Sequence, residues 1–221
     1  NDFSFWWLNR SFLPAILSDM TTPEFDKAVS NFQKLEKFVA DNVKSSSQKK
    51  EALLKVLGDT PELVLAPAST RREYHGAFPG GLVEHSLKVL KNMSILNKSF
   101  ETKLSIEEMV VVSLFHDVGK AGKDGVEYYL PKNSDWHASR GIFYEVNPVF
   151  SSTKVSQLSL FKLQAAGAVL NEGEFTAIYN FDQANRDPDM PMTNEPTLAV
   201  MLRQAIGISC HQGRDKSKVT L

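Results

Sequence analysis

Five histidines occur in the 221 residues, and four of them, His75, His85, His116 and His137, fall in one stretch of the chain. His116 is followed directly by Asp117 and then by Val118-Gly119-Lys120. Imidazole nitrogen and carboxylate oxygen are the usual protein ligands of zinc, manganese or iron. Side chains adjacent in sequence reach one ion only where the backbone turns. The end of a helix supplies such a turn, and Gly119 allows it. Lys120 then carries an ammonium beside the ion, suited to a phosphate oxygen. A lone histidine on a helix, or a lone His-Asp pair, is ordinarily structural. His85, His116-Asp117 and Gly119-Lys120 together, at helical spacing, point to a metal centre.

Helices must position these groups. Thr22-Pro23-Glu24 reads as a helix start, with Thr22 as the N-cap, proline at the first position and an acidic first turn. Phe25, Val29, Phe32, Leu35 and Phe38-Val39 then recur at 3.6-residue spacing, giving one apolar face. A break at 44–47 separates this helix from a second over 48–57, which stops at Gly58, and a short segment follows over 61–65. The loop 70–81 holds three glycines, one proline and the adjacent Arg71 and Arg72. Leu82, Val83, Leu87, Val89, Leu90, Met93 and Leu96 predict a long amphipathic helix after it, with His85 near its start. Ser105-Ile106-Glu107-Glu108 has the capping-box pattern and opens a largely apolar helix, ending at His116. A short hairpin is expected near 126–130, and further helices over 134–145, 155–170, 172–182 and 195–210. Residues 185–191 read as a loop and 213–221 as a polar tail. The fold class predicted is all-α, with a helical N-terminal extension, residues 1–68, packed on a core domain of residues 69–221.

Composition narrows the functions. Apolar residues at 42% and charged residues at 23% are ordinary for a globular protein. Twenty-five basic against twenty-six acidic residues leave a formal charge of -1, which argues against a long polyanion as ligand but leaves room for a local phosphate pocket. One cysteine, Cys210, excludes a disulfide framework and a zinc site built from cysteines. It also suits a reducing compartment, so a cytoplasmic location is expected. No run approaches the roughly 18 to 20 apolar residues of a membrane span. Residues 1–8 lack the basic region and cleavage site of a secretory signal, and with no Met at position 1 the chain is expected to follow a leader. Phe3, Phe5, Trp6, Trp7, Phe12, Leu13 and Ile16 are expected to pack on the domain or on a partner subunit, which makes a homodimer plausible.

His75-Gly76-Ala77-Phe78-Pro79-Gly80-Gly81-Leu82-Val83-Glu84-His85-Ser86 and Phe115-His116-Asp117-Val118-Gly119-Lys120 resemble the motifs of the HD superfamily of metal-dependent phosphohydrolases. The closer resemblance is to stand-alone HD-domain proteins carried by tailed phages and bacteria. Tyr128-Tyr129-Leu130-Pro131 and Ser134-Asp135-Trp136-His137 also look familiar, and Glu195-Pro196-Thr197-Leu198-Ala199 opens what would be the final helix. The resemblance covers about residues 69–209. It implies an HD-domain helical bundle in which His85, His116 and Asp117 hold a divalent transition metal (manganese, zinc, iron, nickel or cobalt). It implies too that His137 binds a second metal or the scissile phosphate, that Lys120 contacts phosphate, and that Arg71, Arg72 and His75 line the pocket mouth. For Arg71 and Arg72 a solvated loop is the competing reading, and for His75 a structural role in the glycine-rich loop.

The family closes its site with an aspartate on the final helix, and Ile206 stands there in this chain. Members with a second metal often carry a histidine near 179–182, where this chain has Phe181; Asp182 is the nearest acidic substitute, with Asp135 and Asp215 behind it. The resemblance implies a hydrolase that acts on a nucleotide or similar small phosphate ester, with Asp117, Lys120 and His137 in catalytic roles. The competing expectation is a degenerate HD-like module that binds a nucleotide or a protein without catalysis. A 3′-to-5′ nuclease is a third, disfavoured because no added nucleic-acid-binding barrel is apparent.

Overall fold

The structure, a computed structural model, describes residues 21–101, 103–181 and 195–213. Among these residues the chain forms eight α-helices and one two-stranded antiparallel sheet. The first helix, α1 (Thr22–Asn42), is capped by Thr21 rather than by Thr22. The Glu24 carboxylate accepts from both the Thr21 amide (3.1 Å) and its hydroxyl (2.8 Å), which fixes the start one residue earlier. Ala28, Phe32, Leu35 and Val39 turn inward at three- and four-residue intervals. Helix α2 (Ser47–Gly58) follows, with Ser46 accepting from the Lys49 amide at its N-terminus, and then a 3-10 turn, Pro61–Val64.

Helix α3 (Gly81–Asn97) is the centre of the bundle. It packs against α1, against α4 (Ile106–Phe115) and, most extensively, against α8 (Thr197–Gln212). The capping box expected at Ser105 is present: its hydroxyl accepts from the Glu108 amide (3.1 Å), and the Glu108 carboxylate accepts from the Ser105 amide (2.9 Å). Every residue from Met109 to Phe115 is buried, because α4 is covered by α1, α3, α7 (Glu172–Asn180) and α8. One continuous core joins Phe32, Leu35 and Leu53 to Leu82, Val111, Phe115, Ile178 and Leu202. Helices α1 and α2 therefore share their core with the helices that carry the site. No helix among the described residues is long and apolar enough to cross a membrane.

Three local expectations are corrected. The helix expected over 134–145 is reduced to α5 (Asp135–Ser139). Gly141 then turns the chain at φ +67°, and strand β2 (Tyr144–Val146) pairs with β1 (Tyr129–Pro131), Tyr129 opposite Val146. The hairpin expected near 126–130 is thus a pairing across an intervening helix. A second small core explains it: Tyr128, Tyr129, Tyr144, Phe150 and Leu158 bury one another beneath the strands. Helix α6 (Val155–Ala165) stops short of 170, and Gly167, at φ +86°, follows its end. The aromatic N-terminus, the loop 185–191, Asp182, Asp215 and most of the polar tail lie outside the described residues.

A buried ion cluster that the sequence does not announce ties α2, α4 and α7 together. Lys49 Nζ lies 2.7 and 2.9 Å from the two Glu174 carboxylate oxygens and 3.3 Å from Glu107. Glu107 in turn accepts from the Lys44 and Ser45 amides, both at 2.9 Å, and from the Ser45 hydroxyl. Burial alone would raise the Glu107 pKa, but the hydrogen bonds from Ser45, Lys44 and Lys49 outweigh it and bring it down to about 2. Its folded-state pKa is depressed, so its contribution to stability is complete above about pH 4.5 and is lost as pH falls toward 2. Thermal melts should show wild type losing Tm more steeply than Glu107→Gln across that window. Equal slopes would contradict the assignment.

Candidate metal centre

The end of α4 and the start of α3 build the centre. His116 still has helical backbone angles (φ −55°, ψ −38°), and Asp117 leaves them (φ −106°, ψ 6°) before a 3-10 turn, Val118–Ala121. The turn expected at the His-Asp pair is therefore present, but Gly119 serves a different need. It has no positive φ; a Cβ there would lie 2.7 Å from both Leu158 Cβ and the Val155 carbonyl oxygen. Its amide also donates to Ser159 Oγ at 2.9 Å. Glycine is required by the close approach of α6, which supports the His-Asp turn from behind.

His85 is set by the glycine loop. Gly76 and Gly80 take φ of +63° and +80°, which glycine adopts without a Cβ penalty. The Ala68 amide donates to Gly76 O (2.8 Å) and the Leu82 amide to Ala66 O (2.9 Å), locking the first turn of α3 against the preceding segment. That turn directs His85 inward toward the end of α4.

The resulting geometry is compact. Asp117 Oδ2 lies 3.9 Å from His85 Nε2 and 3.6 Å from His116 Nε2, and one donor atom from each of the three residues lies within 4.8 Å of the others. His85, His116 and Asp117 are 3%, 0% and 2% exposed. His116 Nδ1 is 3.0 Å from the Ser113 carbonyl oxygen, which can only accept, so Nδ1 holds the proton and Nε2 keeps its lone pair. That is the orientation a metal-ligating imidazole takes. Both His85 ring nitrogens, His116 Nε2 and Asp117 Oδ1 are buried without a hydrogen-bond partner. Buried polar atoms are ordinarily paired because leaving them unpaired costs about 1–3 kcal/mol each. A cluster of two imidazoles and a carboxylate with donor atoms this close and polar atoms left unpartnered fits a divalent cation.

Electrostatics agree with that donor set. Burial lowers the His85 pKa well below its ordinary value, helped by the nearby His75 and His116 rings, and burial likewise lowers that of His116. Both imidazoles are neutral at pH 7, as metal ligands must be. Burial opposes ionisation of Asp117, but the Lys120 ammonium, 2.7 Å from Oδ2, outweighs it and holds the carboxyl far below the usual range. Lys120 loses to burial and gains more from Asp117, so its pKa lies above the ordinary lysine value.

The remaining expected residues are placed as follows. The His75 ring lies against that of His85, with centroids 4.3 Å apart and planes tilted by 39°. Arg71 and Arg72 are exposed, the first 3.5 Å from Glu73 and the second with its guanidinium 5.1 Å from the Phe143 ring centroid. His137, half-buried on α5, is not among the donors grouped with Asp117; its Nδ1 is 2.6 Å from Ser134 Oγ. Asp135, at the start of α5, is exposed and also outside that group. Phe181 packs its ring against His116, centroids 5.0 Å apart and nearly perpendicular, and Ile206 is half-buried against the main core. Sequence reasoning passed over Cys210, whose sulfur lies 3.7 Å from His75 Nε2. The only signal was its spacing of four residues from Ile206, which puts both on one face of α8. A cleft of about 440 Å³, lined in part by Lys27, Phe78, Glu84, Lys132 and Phe143, contains none of the three clustered donors.

Comparison with protein-family models, with curated proteins and with solved structures finds no match to this chain. Fold and site define it as a mostly helical protein with a buried His-His-Asp cluster and an adjoining lysine.

Proposed function

We propose that the chain is an HD-type metal-dependent phosphohydrolase, its helices forming an HD-domain bundle, that cleaves a nucleotide or similar small phosphate ester in the cytoplasm. The observation that carries the reading is the buried grouping of His85, His116 and Asp117, with donor atoms within 4.8 Å of one another and several polar atoms unpartnered, beside the Lys120 ammonium. His85 Nε2, His116 Nε2 and Asp117 would hold one divalent ion of manganese, zinc, iron, nickel or cobalt. Such an ion supplies a hydroxide at neutral pH, by lowering the pKa of bound water to about 7, and polarises a phosphoryl oxygen.

The chain's own residues do the rest. Asp117 keeps one oxygen to accept from, and so orient, the attacking water. Water oxygen adds to phosphorus, the P–O bond to the leaving group breaks, and the proton the water gives up passes through solvent to the leaving oxygen. Lys120 offsets charge gathering on the phosphoryl oxygens. Arg71 and Arg72, with His137 and His75, form the outer contacts for the rest of the substrate, and a near-neutral chain favours a small ester over a polymer.

Two observations favour the second reading, a binding module that has lost catalysis. Ile206 offers no donor where the resembled family places an aspartate, and Phe181 covers His116 where a second-metal histidine would stand. One experiment separates the two. Elemental analysis of the purified protein should give about one transition-metal ion per chain, absent from His116→Ala. The loaded protein should release phosphate or nucleoside from some member of a nucleotide panel. Metal without turnover on any nucleotide selects the binding module. A protein that stays empty after incubation with manganese, zinc, cobalt or nickel overturns the hydrolase.

A further inference from the structure

We propose that His75, His85 and Cys210 form a second, thiolate-containing metal site that shares His85 with the His85–His116–Asp117 group and takes a thiophilic divalent ion such as zinc or cobalt. Donor atoms of the three residues, Cys210 Sγ and one ring nitrogen from each histidine, lie within 4.8 Å of one another. Three separate segments bring them together: the glycine loop carries His75, α3 carries His85 and α8 carries Cys210. The extensive packing of α8 on α3 fixes the spacing. The end of α8 is held against the loop as well, since a Cβ on Gly213 would come within 2.9 Å of His75 Cβ.

The second observation is His85 itself. It is 3% exposed, and both of its ring nitrogens lack a hydrogen-bond partner. A neutral imidazole has one lone-pair nitrogen and one N–H, and in an apolar interior one partner normally satisfies each. The His116–Asp117 side offers a cation site to one nitrogen. The sulfur and imidazole of Cys210 and His75 supply a second set of donors around the same ring. On binding, Cys210 gives up its thiol proton to solvent and its sulfur becomes a ligand; where both groups hold an ion, His85 also gives up its remaining ring N–H proton to solvent and bridges them as imidazolate.

The chemistry of the donors selects the ion. Two nitrogens and a sulfur suit zinc or cobalt and discriminate against magnesium and manganese, which favour oxygen. The proposal also gives α8 a donor one helical turn beyond Ile206, where the alkyl side chain supplies none. It adds a ligand group to the metal centre proposed above but rests on Cys210 and His75, which that reading does not use as ligands.

Cobalt(II) alone, titrated into the reduced full chain, provides the test. Cobalt bound to a thiolate gives a sulfur-to-metal charge-transfer absorption in the near ultraviolet, and cobalt on nitrogen and oxygen alone does not. The expected result is that band in wild type and in Asp117→Asn, its loss in Cys210→Ser, and its marked weakening in His75→Ala. Zinc should likewise protect Cys210 from alkylation, read by mass spectrometry, in wild type and in Asp117→Asn but not in His75→Ala. Cobalt uptake without the charge-transfer band, together with unprotected alkylation in the presence of zinc, overturns this site and leaves the His85–His116–Asp117 reading standing. A band that persists in Asp117→Asn while elemental analysis shows one ion fewer than in wild type supports both groups. Loss of the band in Asp117→Asn, with circular dichroism showing a folded chain, overturns the independence of the second site.

Discussion

Asp117→Asn lowers the stability of the chelator-treated protein by about 3–5 kcal/mol, the usual cost of removing one partner from a buried ion pair. Lys120 is then left as a largely enclosed ammonium facing two imidazoles and no carboxylate. The double variant Asp117→Asn/Lys120→Met should recover most of that loss, because it removes the stranded charge along with its cause. Urea unfolding of the three proteins measures the effect. A single variant as stable as wild type would show that the pair is not enclosed as described. Both variants should also fail to bind manganese at the His85–His116–Asp117 group, so stability and metal uptake separate in the double variant.

Gly81→Ala should be worse. A Cβ at that position would lie 2.1 Å from the Gly76 carbonyl oxygen and 2.7 Å from its carbon. Both contacts are backbone atoms inside a loop already held by hydrogen bonds to Ala68 and Leu82. No rotamer change relieves such a clash, so the loop or the start of α3 must move, at more than about 4 kcal/mol. The variant is expected to be insoluble or to melt far below wild type, and any folded fraction should have lost metal, since His85 rides on the same turn. Gly207→Ala makes the control. It is exposed in the middle of α8 with nothing within 4 Å of the added Cβ, and should gain about 0.5–1 kcal/mol from helix propensity. A tolerated Gly81→Ala would mean the glycine loop is looser than its contacts indicate.

What could be read from the sequence, and what could not, follows from how each feature is encoded. Ser105 and Glu108 sit three residues apart and their reciprocal bonds are local, so the α4 start was legible to the residue. His116 and Asp117 were legible as a pair because adjacency and a helix end are both local facts. The pairing of β1 with β2 was not: Tyr129 and Tyr144 find each other only through a shared aromatic core, and nothing in 134–145 marks the early stop of α5 except Gly141. The Lys49–Glu107–Glu174 cluster joins residues 58 and 125 positions apart, and single charges on amphipathic helices look like solvent-facing ones. In the sequence Gly119 suggests conformational freedom, whereas its reason is lack of volume against α6. Cys210 was read only as a count of thiols. Its closeness to His75 depends on how α8 crosses α3, which periodicity does not specify.

The Lys120 ammonium on Asp117 has a consequence for how such a site fills. The carboxylate is already neutralised by a tethered monovalent cation, so a divalent ion bound as proposed would enter by exchange rather than by occupying an unbalanced hole. Exchange would set the ammonium free of Asp117, so the site would gain its affinity for anions only in the loaded form. Metal loading and phosphate affinity would thereby be linked through one side chain, each raising the other by the same factor. Such a protein would behave as an ion exchanger whose second binding function is switched on by the first.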